Sequence, residues 1–235
     1  MNKTLAISFK ELATYFKSPT AYIVAIIAVS IFNVFFFLII NENREAHLTD
    51  VFKVMEFLFV FMIPILTMKI FAEEKQTGTM EFLLTTPTPI FQIVSGKFLG
   101  SLLFFSLIVF CTKIYELILL NFGKPDVGAM CLGYSGVWLE GAFFISIGLF
   151  ISSLTKSQMI AAIVSYVCIF FLYFINTFIQ TVPVGFEKWL RAVSVMTHTE
   201  NLFSGLIVFS DIVYFLSGTL FFIILTCFSI DRKRW

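Results

Sequence analysis

Charge is what this sequence has least of. Only 13% of its 235 residues are Asp, Glu, Lys or Arg, and the formal net charge is +1. A soluble domain of this length needs a charged shell, and the residues to build one are missing. The balanced charge offers no basic face for nucleic acid. Cysteine is scarce as well. Cys111, Cys131, Cys168 and Cys227 are scattered through apolar runs without metal spacing, which argues against a disulfide framework and for small packing residues. There is no GxxxxGK[ST] phosphate loop, no HExxH, no GxSxG and no Cys/His cluster. Work done by such a chain must draw on an ion gradient or on a partner nucleotidase. His47 and His198 lie far apart in sequence and read as interface residues rather than ligands. Residues 2–17 lack the apolar core and small-residue cleavage site of a secretory signal.

What the chain has is hydrocarbon. It is 59% hydrophobic, with 32 Phe, and its mean hydropathy is +0.95. A bilayer core of about 30 Å takes roughly 20 apolar residues per helix. The apolar runs are continuous rather than alternating, which favours helices over a β-barrel. The expected fold is therefore an all-α integral membrane protein with six transmembrane helices, at about 22–40, 54–71, 98–120, 132–153, 159–179 and 212–230. Pro64 should bend the second by removing a backbone donor. Ahead of the first span, residues 2–17 carry Leu5, Ile7, Phe9, Leu12, Ala13 and Phe16 on an imperfect stripe. That pattern suits an amphipathic interface helix, or a short helix packed on protein. Ser18-Pro19 ends it.

Residues 183–209 are expected to form outer helices, with Trp189 as an interface anchor. A second short helix at 200–209, with Ser210 capping the last span, competes with one long helix from Leu202. Six spans place both termini on one side. Lys3, Lys10, Lys17, Lys69, Lys75, Lys97, Lys156, Arg232, Lys233 and Arg234 gather there, against Arg44, Lys53, Lys124, Lys188 and Arg191 opposite. The positive-inside rule makes the first side cytoplasmic.

Intramembrane charge is sparse: Lys113 and Glu116 in span three, and Glu140 roughly 12 Å into span four. Such charges are costly and usually functional. Lys113 and Glu140 are expected to neutralise each other, the alternative being a proton relay. Lys53 and Glu56 read as rim residues.

The longest polar break is residues 69–97, KIFAEEKQTGTMEFLLTTPTPIFQIVSGK. Gly78 can end the preceding helix in a left-handed conformation. Thr79 can cap a short helix at 80–85, and Thr88-Pro89 can restart the next. Leu83 and Leu84 then form an apolar knob with Glu73, Glu74 and Glu81 on its rim, which suits docking. A plain helical connection without a partner is the alternative. Residues 71–87 (FAEEKQTGTMEFLLTTP), closing at Gly96-Lys97, resemble the ABC-2 type permeases of ATP-binding-cassette transporters. Residues 149–162 (LFISSLTKSQMIAA) and 201–215 (NLFSGLIVFSDIVYF) are similar to the gliding-motility-associated (GldF-like) and NosY-like branch, with Thr199 after His198 where that branch usually carries Phe.

The resemblance implies a type V exporter-like transmembrane domain with a re-entrant lid before the last span. It implies a permease subunit without its own nucleotide site. That subunit would pair with a second permease subunit in the cytoplasmic membrane. An ATP-binding cassette subunit would bind ATP and Mg and dock at residues 72–97 and on the N-terminal helix. The competing classes are an ion-coupled carrier or intramembrane enzyme using Lys113 and Glu140, and a scaffold without transport activity.

Overall fold

The structure is a computed structural model that describes residues 3–43, 47–81, 88–123, 125–181 and 184–232. The described residues are helical, with no strand among them. In chain order the helices are α1 (Lys3–Lys17), α2 (Pro19–Asn43), α3 (Thr49–Thr67), α4 (Lys69–Gln76), α5 (Ile90–Cys111), α6 (Ile114–Phe122), α7 (Val127–Leu154) and α8 (Gln158–Phe174). A 3-10 turn (Ile175–Thr181) leads to α9 (Val184–Val193), α10 (Val195–Phe203) and α11 (Phe209–Asp231). Six helices or helix pairs are long and apolar enough to cross a membrane: α2, α3 with α4, α5 with α6, α7, α8 and α11.

The central helix is α7, which packs on α3, α4, α5, α8, α10 and α11. Its sequence permits this. Asp126 caps its first turn, accepting from the N–H groups of Gly128 and Ala129 at 2.9 and 3.2 Å, as N-caps do. Along the helix, glycines sit where neighbours press closest, and a Cβ at Gly148 would collide with Thr67 of α3. By contrast α2 and α11 bury few of their side chains and leave many apolar ones exposed, as helices against lipid would.

Two spans are broken, and in each a side chain of α7 takes up the freed backbone groups. Pro64 lies inside α3, and the helix path breaks at Met68. There the Ser152 hydroxyl donates to the Met68 carbonyl at 3.1 Å and accepts from the N–H groups of Phe71 and Ala72, both at 3.0 Å. The second break, at Thr112–Lys113 between α5 and α6, was not anticipated from sequence. The Tyr134 hydroxyl donates to the Thr112 carbonyl at 2.7 Å. Buried backbone groups must find partners, and these two side chains allow the bends.

Several boundaries differ from the sequence reading. The third span begins at Ile90 rather than near residue 98. Lys97, counted from sequence among the cytoplasmic-side lysines, is 3% exposed, inside the helix and inside the protein. Pro89 is the cap residue of α5, with extended ψ of 140°, rather than its first helical residue. The short helix before the last span is α10 at Val195–Phe203, not 200–209, and the last span starts at Phe209 after Val208. Gly205, at φ +79°, turns the chain between them, so neither a single long helix from Leu202 nor a Ser210 cap is present.

Candidate functional site

The sequence places its functional residues around 69–97, and the structure shows what fastens that segment. Residues Thr4, Ile7, Ser8 and Glu11 of α1 lie against Gly96 and Gly100 of α5, where a Cβ would strike them. Small residues four apart let helices approach closely. Leu5 and Phe9 are exposed, as is Phe16 in part, although its ring meets Phe104 of α5 edge-on. Thus α1 is packed on protein along one face and keeps apolar side chains exposed on another.

At this contact Lys97 ties three helices together. Its ammonium donates to Glu11 Oε2 of α1 at 3.1 Å, to Glu74 Oε1 of α4 at 2.8 Å and to the Ile70 carbonyl at 2.9 Å. It also stands 5.1 Å from the Phe71 ring centre, within cation–π range. All three of its hydrogens have acceptors, which a buried ammonium requires. Burial pushes the Glu11 carboxyl above its ordinary range, and the Lys97 charge pulls it back only in part. Next to it the Tyr15 hydroxyl donates to the Leu66 carbonyl at 3.1 Å and lies 3.0 Å from the Ser101 hydroxyl. Burial holds that phenol above its ordinary range.

Farther along, Lys75 bonds the Ser153 carbonyl of α7. Gly78 takes φ +75°, a conformation that favours glycine. The Thr79 hydroxyl turns back to donate to the Glu74 carbonyl at 3.3 Å, which helps to close α4. Glu73 and Glu81 are exposed and Met80 is buried. Leu83, Leu84 and most of the expected helix at 80–85 lie outside the described residues.

The intramembrane charges are arranged otherwise than expected. Lys113 pairs with Glu116 of its own helix turn at 2.9 Å and stands 4.1 Å from the Tyr134 ring centre. It does not meet Glu140, because Tyr134 is six residues, or about 9 Å, from Glu140 along α7. Since α7 starts at Val127, Glu140 lies mid-helix, about 20 Å from its start. It is fully buried, and neither carboxyl oxygen has a hydrogen-bond partner among the described residues. The charge within electrostatic reach of it is another acid, Glu56 of α3.

Glu56 is 1% exposed, not a rim residue. Its Oε1 accepts from the Thr199 hydroxyl of α10 at 2.6 Å. A Phe at position 199 would leave it without that donor. Lys53 alone stays at the rim, paired with Asp50 at 3.2 Å.

The sequence missed a third buried carboxylate role. Asp211 is 3% exposed and accepts from His198 Nδ1 at 2.7 Å and Asn201 Nδ2 at 2.9 Å. His198 stacks on Tyr214, with ring centres 4.2 Å apart. His198 therefore belongs to the seam between α10 and α11. Spacing holds a faint signal, since His198 and Asn201 are three apart and share a helix face. Trp189 on α9 is 74% exposed. Among the described residues no group of His, Cys, Asp and Glu is arranged to hold a metal ion.

A family model described as ABC-2 family transporter protein matches residues 4–229, nearly the whole chain. No curated protein matches the sequence.

Proposed function

From the premise that this chain belongs to the ABC-2 transporter family, we propose that it exports substrate across the cytoplasmic membrane with energy from ATP hydrolysed by a partner. The chain is a multi-pass membrane protein and a permease subunit of that family. In the proposal an ATP-binding cassette subunit carries ATP and Mg, a second permease subunit completes the assembly, and both termini face the cytoplasm. The lysine-rich ends of the spans support that orientation. Within the family we place the chain in the GldF-like and NosY-like branch, on residues 149–162 and 201–215.

One observation carries the coupling role of residues 72–97. The helix that enters this segment, α4, is fastened to α1, α5 and α7 through Lys97, Ser152 and Lys75. A push on the segment therefore reaches four helices. Glu73, Glu74, Gly78, Thr79, Glu81, Leu83 and Leu84 form the proposed contact, with the leucines as its apolar centre. Burying one such side chain is worth about 1.5–3 kcal/mol, so Leu83→Asp should weaken docking about tenfold or more. The test is pull-down of the ATP-binding subunit by the tagged permease, with the ATPase rate of the reconstituted pair. Unchanged capture and rate in Leu83→Asp would remove the segment from the interface.

The carrier or enzyme reading built on Lys113 with Glu140 loses its geometric basis, since Lys113 is paired with Glu116.

A further inference from the structure

A cleft of about 500 Å³ opens at the junction, between the second half of α1, the start of α2 and the α3–α4 bend. That volume is in the range of small-molecule sites. Its charged lining divides into two groups. Glu11 and Glu74 are both paired with Lys97. The remainder are Lys10, Lys17 and Lys69 against Glu73 alone. None of these three lysines forms an ion pair among the described residues. Lys69 donates to Thr20 Oγ1 at 2.9 Å, which holds its ammonium at the N-terminal turn of the 25-residue helix α2. Ser18 and Thr20, whose hydroxyls are 2.8 Å apart, complete this wall. The three lysines on this wall, the hydroxyls and the positive end of a long helix all favour a phosphate group.

The cleft is not polar throughout. Ile65 also lines it, and Ile65 ends an apolar stripe on α3 with Phe61 and Phe57, at 41%, 38% and 40% exposure. These residues are spaced four apart and share one helix face. The stripe leads away from the lysines along a membrane-spanning helix. A polar recess that continues into an apolar track matches a molecule with a phosphate head and a hydrocarbon tail.

The geometry points to a binding site for an anionic phospholipid, with its phosphate among Lys10, Lys17 and Lys69 and an acyl chain along Ile65, Phe61 and Phe57. The chemistry shared with free phosphate is the phosphate group, and the apolar track is what selects the lipid. The site lies where α1 meets α4, so a bound headgroup bridges the interface helix and the segment that leads into residues 77–97.

Native mass spectrometry of the full-length chain in mild detergent tests this, by titration with phosphatidylglycerol, phosphatidylcholine and inorganic phosphate. One phosphatidylglycerol should bind per chain, in preference to phosphatidylcholine. The triple variant Lys10→Gln, Lys17→Gln, Lys69→Gln should bind it roughly a hundredfold more weakly, at about 1 kcal/mol per lysine near a membrane surface. These side chains are in no ion pair among the described residues and two of them are exposed, so the variant should fold. Ile65→Asn should weaken lipid binding while leaving any phosphate adduct unchanged. Equal lipid binding by wild type and triple variant would overturn the assignment. Phosphate binding as tight as lipid binding, with no effect of Ile65→Asn, would overturn it in favour of a free anion.

Discussion

Lys97 and Glu140 are both buried ionisable side chains in membrane-spanning helices, and their surroundings are opposites. Around Lys97 two carboxylates and a carbonyl complete the ammonium, and the ring of Phe71 covers it. Around Glu140 there is no donor among the described residues, and the neighbouring charge has the same sign. The first arrangement fastens α1, α4 and α5 together by charge. In the second region the contact is spread over hydrogen bonds: Thr199 to Glu56 and Thr49 to the Phe203 carbonyl join α10 to α3, and His198 and Asn201 join it to Asp211 of α11. A paired charge in a dry site is strongly held because removing one partner strands the other. Each hydrogen bond taken singly is cheaper to lose. Loss of one partner should therefore cost more at the junction than at the Thr199–Glu56 contact.

The largest expected effect is at the junction. Lys97→Met strands Glu11 and Glu74 and should cost about 3–5 kcal/mol, read as a fall in the thermal midpoint of the purified protein. Adding Glu11→Gln and Glu74→Gln should restore part of it, and additive losses would break the picture of one ionic unit. Next is Thr199→Val, which takes the donor from a buried carboxyl at a cost of about 1–3 kcal/mol. The same midpoint assay, with proteolysis of the α10 region, should show local loosening. A global loss as large as that of Lys97→Met would erase the contrast between the regions.

Tyr15→Phe removes the bond to Leu66 and should cost roughly 0.5–1.5 kcal/mol. The smallest effect sharpens the comparison most. Glu140→Gln keeps the shape and removes the ionisable group, so it should leave the midpoint unchanged or raise it. A loss above about 2 kcal/mol would mean that Glu140 has a partner after all.

The six spans were legible because continuous apolar runs of sufficient length have few other uses. The turn at Gly78 was legible for the same kind of reason, since few residues tolerate positive φ. What could not be read was the pairing of charges. Lys113 could reach either Glu116 or Glu140 by sequence, and the choice depends on how α7 is rotated and where it begins. Burial of Lys97 and Glu56 was equally hidden, because a charge near a span end looks like a rim residue until its partners on other helices are placed. The break at Thr112 leaves no proline in the sequence to mark it. It depends on Tyr134, 22 residues later, supplying a donor.

The Ser152 hydroxyl has one more consequence. It receives the N–H groups of Phe71 and Ala72 in the first turn of α4 and donates to the carbonyl of Met68, the residue that links α3 to α4. Lys75 adds a second tie from α4 to α7, and Glu74 a tie to α5. In mechanical terms α4 is a tooth on α7 and α5 rather than an extension of α3. A load applied beyond Gln76 enters the central helix first, and α3 follows through a joint already bent by Pro64. The order in which these helices feel a force is thus not the order in which the chain is written.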